Sequence, residues 1–186
     1  MEPRFKGFKW IRLVLYLLLF SGVGGFLAVV VTQNRVGDER SSNTTLSLPS
    51  APDFTVPLYT GGTGEFTLSD HTGHPVVVNF WSSWCSPCRA EFPALQAIAN
   101  KYKDDGVVVI GVNVQDTEEN ARAFLDEQGT TFKAGPDNTG MVAHDYKLMG
   151  LPSTFFISRD GILSKDWIGE IDEEKLSEFV EELIAL

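Results

Sequence analysis

The chain's two cysteines, Cys85 and Cys88, stand three apart in Trp84-Cys85-Ser86-Pro87-Cys88-Arg89. They follow a short β-branched run, Val76-Val77-Val78-Asn79-Phe80, and begin a stretch with helical periodicity. A sulfur at a helix start sits beside unsatisfied N–H groups and the positive end of the dipole, which favours the thiolate. The two-residue gap lets the second cysteine close a disulfide with the first, so the pair can cycle between dithiol and disulfide. Cys85 is then the attacking thiol and Cys88 the resolving one. Arg89 adds positive charge nearby unless solvent holds it. Two other chemistries use the same pair, a structural bridge and half of a metal site. Zinc needs four ligands, and with no second cysteine pair the candidates to complete a set are His71 and His74, in the polar turn His71-Thr72-Gly73-His74-Pro75.

The surrounding elements alternate. Val76–Phe80 is predicted as a buried central strand. Cys88–Tyr102 is predicted as a helix with Phe92, Leu95, Ile98 and Ala99 on its apolar face, kinked at Pro93. Val107–Val112 is a second strand, and Thr117–Gln128 a second helix opened by Thr117 and stopped by Gly129. Thr154–Ile157 is a third strand. The turn Ser158-Arg159-Asp160-Gly161 leads into Ile162–Ile168, and Asp172–Leu186 closes the chain as an amphipathic helix. Strands and helices in this order make an α/β fold with a mixed central sheet between helix layers. Glu91, three residues past Cys88, falls on the same helix face, where its carboxylate can raise thiol pKa values or accept a proton from Cys88.

The N-terminal quarter has a different character. Arg4, Lys6, Lys9 and Arg12 stand against one acid, Glu2, although the whole 186-residue chain carries a net charge of −10. Residues 1–12 are therefore expected as a basic cytoplasmic end. Leu13–Val31 is free of charge and, as a helix, would reach roughly 28 Å, enough to cross a bilayer. The positive flank keeps Met1 inside and sends the rest outward. No convincing small-residue cleavage site follows Ala28, so an uncleaved anchor is expected rather than a signal peptide. Residues 32–51, rich in Ser, Thr, Asn and Pro, form a flexible linker, and 52–186 form the folded domain. The acidic balance excludes a nucleic-acid binder.

The stretch Phe80-Trp81-Ser82-Ser83-Trp84-Cys85-Ser86-Pro87-Cys88 resembles the active site of the thioredoxin superfamily, and Gly150-Leu151-Pro152-Ser153-Thr154 resembles its cis-proline loop. Ala51-Pro52-Asp53-Phe54, Asn79-Phe80-Trp81 and Arg89-Ala90-Glu91-Phe92-Pro93 are similar to the membrane-anchored TlpA/ResA/DsbE (CcmG)-like branch, extracytoplasmic thiol–disulfide oxidoreductases of which several serve cytochrome c maturation. The resemblance implies a thioredoxin-like three-layer fold, with Asp116–Pro136 as that branch's central insertion of a helix and a strand. It also implies a cis Pro152 packed on the cysteines, with the Leu151 backbone meeting substrate, and a functional Glu91. Trp81 and Trp84 flank the site and either shield the disulfide and contact partners or serve as core and lid packing. Asn79 departs from thioredoxin, which has a titrating aspartate at the matching position.

These readings lead to a membrane-anchored thiol–disulfide oxidoreductase whose catalytic domain faces outward across the plasma membrane. It is expected to reduce disulfides in exported proteins, with apocytochrome c the leading candidate. Electrons would return from a membrane thiol donor of the DsbD/CcdA type, since no nucleotide fingerprint is present. No metal and no cofactor are expected. Two alternatives compete. A thiol peroxidase of a related family also opens Ala51-Pro52-Asp53-Phe54, but needs a Pro and a Thr where this chain has Val78 and Ser82. A copper carrier would hold the metal with the cysteines and a histidine.

Overall fold

A computed structural model describes residues 49–186. The basic end, the anchor and most of the linker lie outside the described residues. Among the described residues, no helix is long and apolar enough to cross a membrane.

The order of elements is β1 (Thr55–Pro57), β2 (Glu65–Thr67), a 3-10 turn (Leu68–His71), β3 (Val76–Trp81), α1 (Ser86–Lys101), β4 (Val108–Asn113), α2 (Glu118–Glu127), β5 (Lys133–Pro136), α3 (Met141–Asp145), β6 (Ser153–Ile157), β7 (Leu163–Ile168) and α4 (Glu173–Ile184). The main sheet runs β5-β4-β3-β6-β7. β3, β4 and β5 are parallel, and β6 and β7 are antiparallel to their neighbours. With period-2 alternation, β3 sends Val77 and Trp81 into a core with Phe92, Leu95 and Ile98 of α1, Phe124 of α2 and Leu176 and Val180 of α4. Val76, Val78 and Phe80 face the other way, onto Phe54, Phe66, Val142 and Tyr146. A central strand buried on both faces explains the unbroken Val76–Val78 run. This is the mixed α/β sheet the sequence predicts.

Two close approaches fix the layers. A Cβ on Gly111 would lie 2.8 Å from Trp81 Nε1, so the glycine makes room for the indole. A Cβ on Gly135 would lie 2.0 Å from the Pro57 carbonyl oxygen, where the β1–β2 hairpin crosses β5.

Three differences from expectation have local causes. α1 begins at Ser86 rather than Cys88, because Cys85 is its N-cap and accepts the Cys88 N–H on sulfur. Pro87, which lacks an N–H, sits in the first turn, where none is needed. The helix then continues through Pro93 to Lys101. The β1–β2 hairpin and α3 were not expected, since elements of three to five residues carry no readable periodicity. Residues 49–51, grouped by composition with the linker, are stitched to the β6–β7 turn by Ala51 N–H to Gly161 O at 2.9 Å and Leu163 N–H to Pro49 O at 3.0 Å.

Candidate active site

The cysteine pair sits where β3 ends and α1 begins, and is closed as a disulfide with Cα atoms 5.3 Å apart. Cys88 is fully buried and Cys85 nearly so. The Cys88 N–H lies 3.2 Å from Cys85 Sγ, so one orphan donor of the helix start already points at the sulfur that would become the thiolate.

The segment before Cys85 is held by the β4–α2 loop. Asp116 accepts from Ser83 N at 2.6 Å and Ser83 Oγ at 3.0 Å, and also from Asn113 Nδ2 and Thr117 N. Burial opposes ionisation of this carboxyl, but its donors prevail and hold its pKa below the usual aspartate value. Gln115, with φ at 51°, turns its carbonyl to the Trp84 indole N–H at 2.9 Å. A non-glycine residue at positive φ beside a reactive centre is strain held in place by its surroundings. Sequence reasoning missed both Gln115 and Asp116; an Asp before a helix-capping Thr offers only a generic capping signal.

Across from Cys85 lies the loop 147–152, whose Leu151–Pro152 peptide is cis. Ser153 Oγ donates to Gly150 O at 2.8 Å and Gly169 N–H to Pro152 O at 2.8 Å, anchoring the loop at both sides. Between loop and disulfide is an open groove of about 440 Å³, lined by Trp84, Cys85, Pro87, Leu148, Met149 and Leu151. Trp84 is 61% exposed and Met149 82%. Trp81, by contrast, is wholly buried and belongs to the core.

Behind Cys88 the surroundings are polar and buried. Glu91 is 1% exposed. Its Oε1 accepts from Asn79 Nδ2 at 2.7 Å, and its Oε2 from Ile171 N–H at 3.1 Å. Asn79 Nδ2 also donates to Thr154 Oγ1 at 3.0 Å. Burial pushes the Glu91 carboxyl up to about 7, against the two hydrogen bonds that favour its charged form, with the Glu170 charge adding to the rise. A group of that pKa can hold or release a proton at neutral pH. Arg89 is engaged elsewhere, paired with Glu127 at 2.5 Å and lying over the Phe124 ring.

The structure therefore brings Trp84, Cys85 and Leu151 around one groove, while Cys88, Pro152 and Glu91 lie buried behind it. It keeps the two histidines away. His71 and His74 bond the carbonyls of Thr67 and Gly106, before β3 begins. The six residues of β3 separate them from the cysteines by about 20 Å, which removes them as partners for a sulfur-bound copper. No group of three or more metal-ligating side chains is assembled among the described residues.

A cysteine pair capping the helix that follows the central strand of a five-stranded mixed sheet, opposite a cis-proline, defines a thioredoxin-fold thiol–disulfide oxidoreductase. The chain belongs to the AhpC/TSA family, whose model matches residues 49–165, and within it to the ResA- and HelX-type thiol–disulfide oxidoreductases. It is 33% identical over 172 residues to the thiol:disulfide interchange protein HelX of Rhodobacter capsulatus, covering 91% of this chain and 93% of that one. It is also 33% identical to the thiol-disulfide oxidoreductase ResA of Oceanobacillus iheyensis, covering 72% and 71%. Among solved structures, a putative thiol:disulfide interchange protein DsbE from Chlorobium tepidum superimposes with a TM-score of 0.68 at 34% identity, over 74% of this chain and 97% of that one.

Proposed function

We propose that this protein is a membrane-anchored reductase of disulfides in exported proteins, with apocytochrome c as the leading substrate. The observation that carries the reading is the Cys85–Cys88 pair facing an apolar groove on one side and a buried carboxyl on the other. In the reduced enzyme, the Cys85 thiolate attacks one sulfur of a substrate disulfide. An S–S bond forms between enzyme and substrate, and the first substrate thiolate leaves. Cys88 then loses its proton to Glu91 and attacks Cys85 Sγ, which breaks the mixed disulfide and releases the second substrate thiolate. Two electrons have passed to the substrate, and the enzyme is left as the disulfide described above. A membrane thiol donor of the DsbD/CcdA type restores the dithiol by the reverse exchange.

Leu151 offers backbone beside Pro152 for pairing with an extended substrate segment, while Trp84 and Met149 supply apolar contact. The uncharged run 13–31 with its basic flank supports the anchor and an outward-facing catalytic domain. The peroxidase reading is disfavoured by Ser82, whose hydroxyl is taken up by the Val114 carbonyl inside the core and is not free to hold a peroxide.

The test is the reduction potential of the pair in the detergent-solubilised full chain. A value near or below about −250 mV supports a reductant, and one near −120 mV marks an oxidant and overturns the reading.

A further inference from the structure

Asn79 sits in the middle of β3, wholly buried, and its Oδ1 has no hydrogen-bond partner among the described residues. An unpartnered buried carbonyl oxygen costs about 1–3 kcal/mol, so its retention needs a reason. The reason lies in what surrounds Glu91. Both carboxyl oxygens face donors, Asn79 Nδ2 on Oε1 and the Ile171 N–H on Oε2. That arrangement suits a carboxylate, which only accepts. It does not suit the carboxylic acid, whose new O–H needs an acceptor at a site closed off from bulk solvent.

Of the two neighbours, Ile171 donates from the backbone and cannot reverse. The carboxamide can, because a half-turn about Cβ–Cγ exchanges donor for acceptor. We propose that Asn79 is a reversible partner of Glu91: Nδ2 donates to the carboxylate, and in the turned form Oδ1 accepts from the protonated acid. The third member of the cluster permits it. Thr154 Oγ1 accepts from Nδ2 at 3.0 Å now, and as a hydroxyl it can donate to Oδ1 after the turn. One atom of the carboxamide is orphaned in either orientation, Oδ1 now and Nδ2 after the turn, whereas a fixed amide would leave the acid's O–H without a partner.

The remaining groups facing Glu91 do not take this part. Cys88, one turn earlier on α1, offers only a weakly accepting sulfur. Glu170, on the loop before α4, acts through its charge. Asn79 is thus a positioning residue for the proton step. This inference rests on Glu91 receiving the Cys88 proton.

The experiment uses the oxidised full chain in detergent, with isotope-labelled Asn and Glu, the Asn79 amide being assigned by its loss in Asn79→Asp. Glu91 is titrated through its carboxyl carbon, while Overhauser contacts are followed from the Asn79 amide protons to the Thr154 side chain. These contacts are expected above the titration and lost below it, with the same midpoint as the carboxyl carbon. Contacts that persist across the whole titration overturn the inversion, as does a Glu91 carbon that does not titrate between pH 5 and 9. The underlying reading fails separately. If Glu91→Gln leaves the pH profile of the Cys88 step unchanged, Glu91 is not the proton acceptor, whatever Asn79 does.

Discussion

On one side of the disulfide, Trp84, Met149 and Leu151 make an open apolar surface; on the other, Glu91, Asn79 and Thr154 form a buried cluster in which nearly every polar atom is committed. The two sides differ in how each tolerates change. Exposed, unbranched Met149 can fit many partner segments, so the groove recognises shape loosely. The cluster is buried away from bulk solvent, so each of its hydrogen bonds weighs more than it would at the surface. In the proposed reaction, the contrast separates the work into substrate contact at Cys85 and proton handling at Cys88.

The strongest way to break that division is at the sulfurs. Cys85→Ser is expected to reduce disulfide exchange to background, while Cys88→Ser should accumulate a covalent enzyme–substrate adduct, visible by mass spectrometry. Equal behaviour of the two variants would remove the assignment of roles.

Next in size is Glu91→Gln. General acid–base contributions of this kind are worth at least about a hundredfold, so the Cys88 step should slow by that order near pH 7 and lose its pH dependence. Stability offers a second reading of the same carboxyl. Its folded pKa of about 7 lies above the ordinary value of 4.5, so the folded state binds more protons between those limits. Stability is fully present below about 4.5 and falls as pH rises toward 7, by about 3 kcal/mol in all. Denaturant unfolding of the oxidised protein at pH 5 and pH 8 should show this loss, and Glu91→Gln should flatten it. Identical slopes in both proteins would show that the carboxyl does not titrate there.

Asp116→Ala removes an acceptor from Ser83, Asn113 and Thr117, and should cost about 1–3 kcal/mol. Because the loss falls on the segment leading to Cys85, exchange should slow as well, whereas a loss of stability at unchanged rate would confine the clamp to folding. Met149→Gln is the mildest change. It should raise KM for an apolar-flanked disulfide peptide by about threefold to tenfold, the worth of partly burying one such side chain, and leave kcat alone.

The parts of the molecule legible in sequence are those with a local cause. Val76–Val78 reads as a buried strand because both of its faces are covered, and Cys85-Ser86-Pro87-Cys88 reads as a helix start because capping and proline placement are local. That Glu91 shares the buried face of α1 with Cys88 follows from helical spacing alone. What escaped depends on chain brought together from far apart. The depth at which Glu91 is buried depends on Ile171, eighty residues away. The hold of Asp116 on Ser83 joins two loops whose sequences say nothing of each other. The β1–β2 hairpin is defined by where it crosses Gly135 rather than by any pattern of its own.

Because the sulfur of Cys85 is the first acceptor of α1, the helix and the redox couple share one thermodynamic cycle. A thiolate accepts an N–H more strongly than a disulfide sulfur does, and is better matched to the positive end of the helix. Adding two electrons therefore tightens the first turn, and the same free energy raises the affinity of the pair for electrons, by about 30 mV for each 1.4 kcal/mol. The cap thus pulls toward the oxidising end of the scale, while negative charge on Glu91 disfavours a second anion nearby and pulls the other way. On this cycle, a first turn weakened by substitution makes the pair a stronger electron donor.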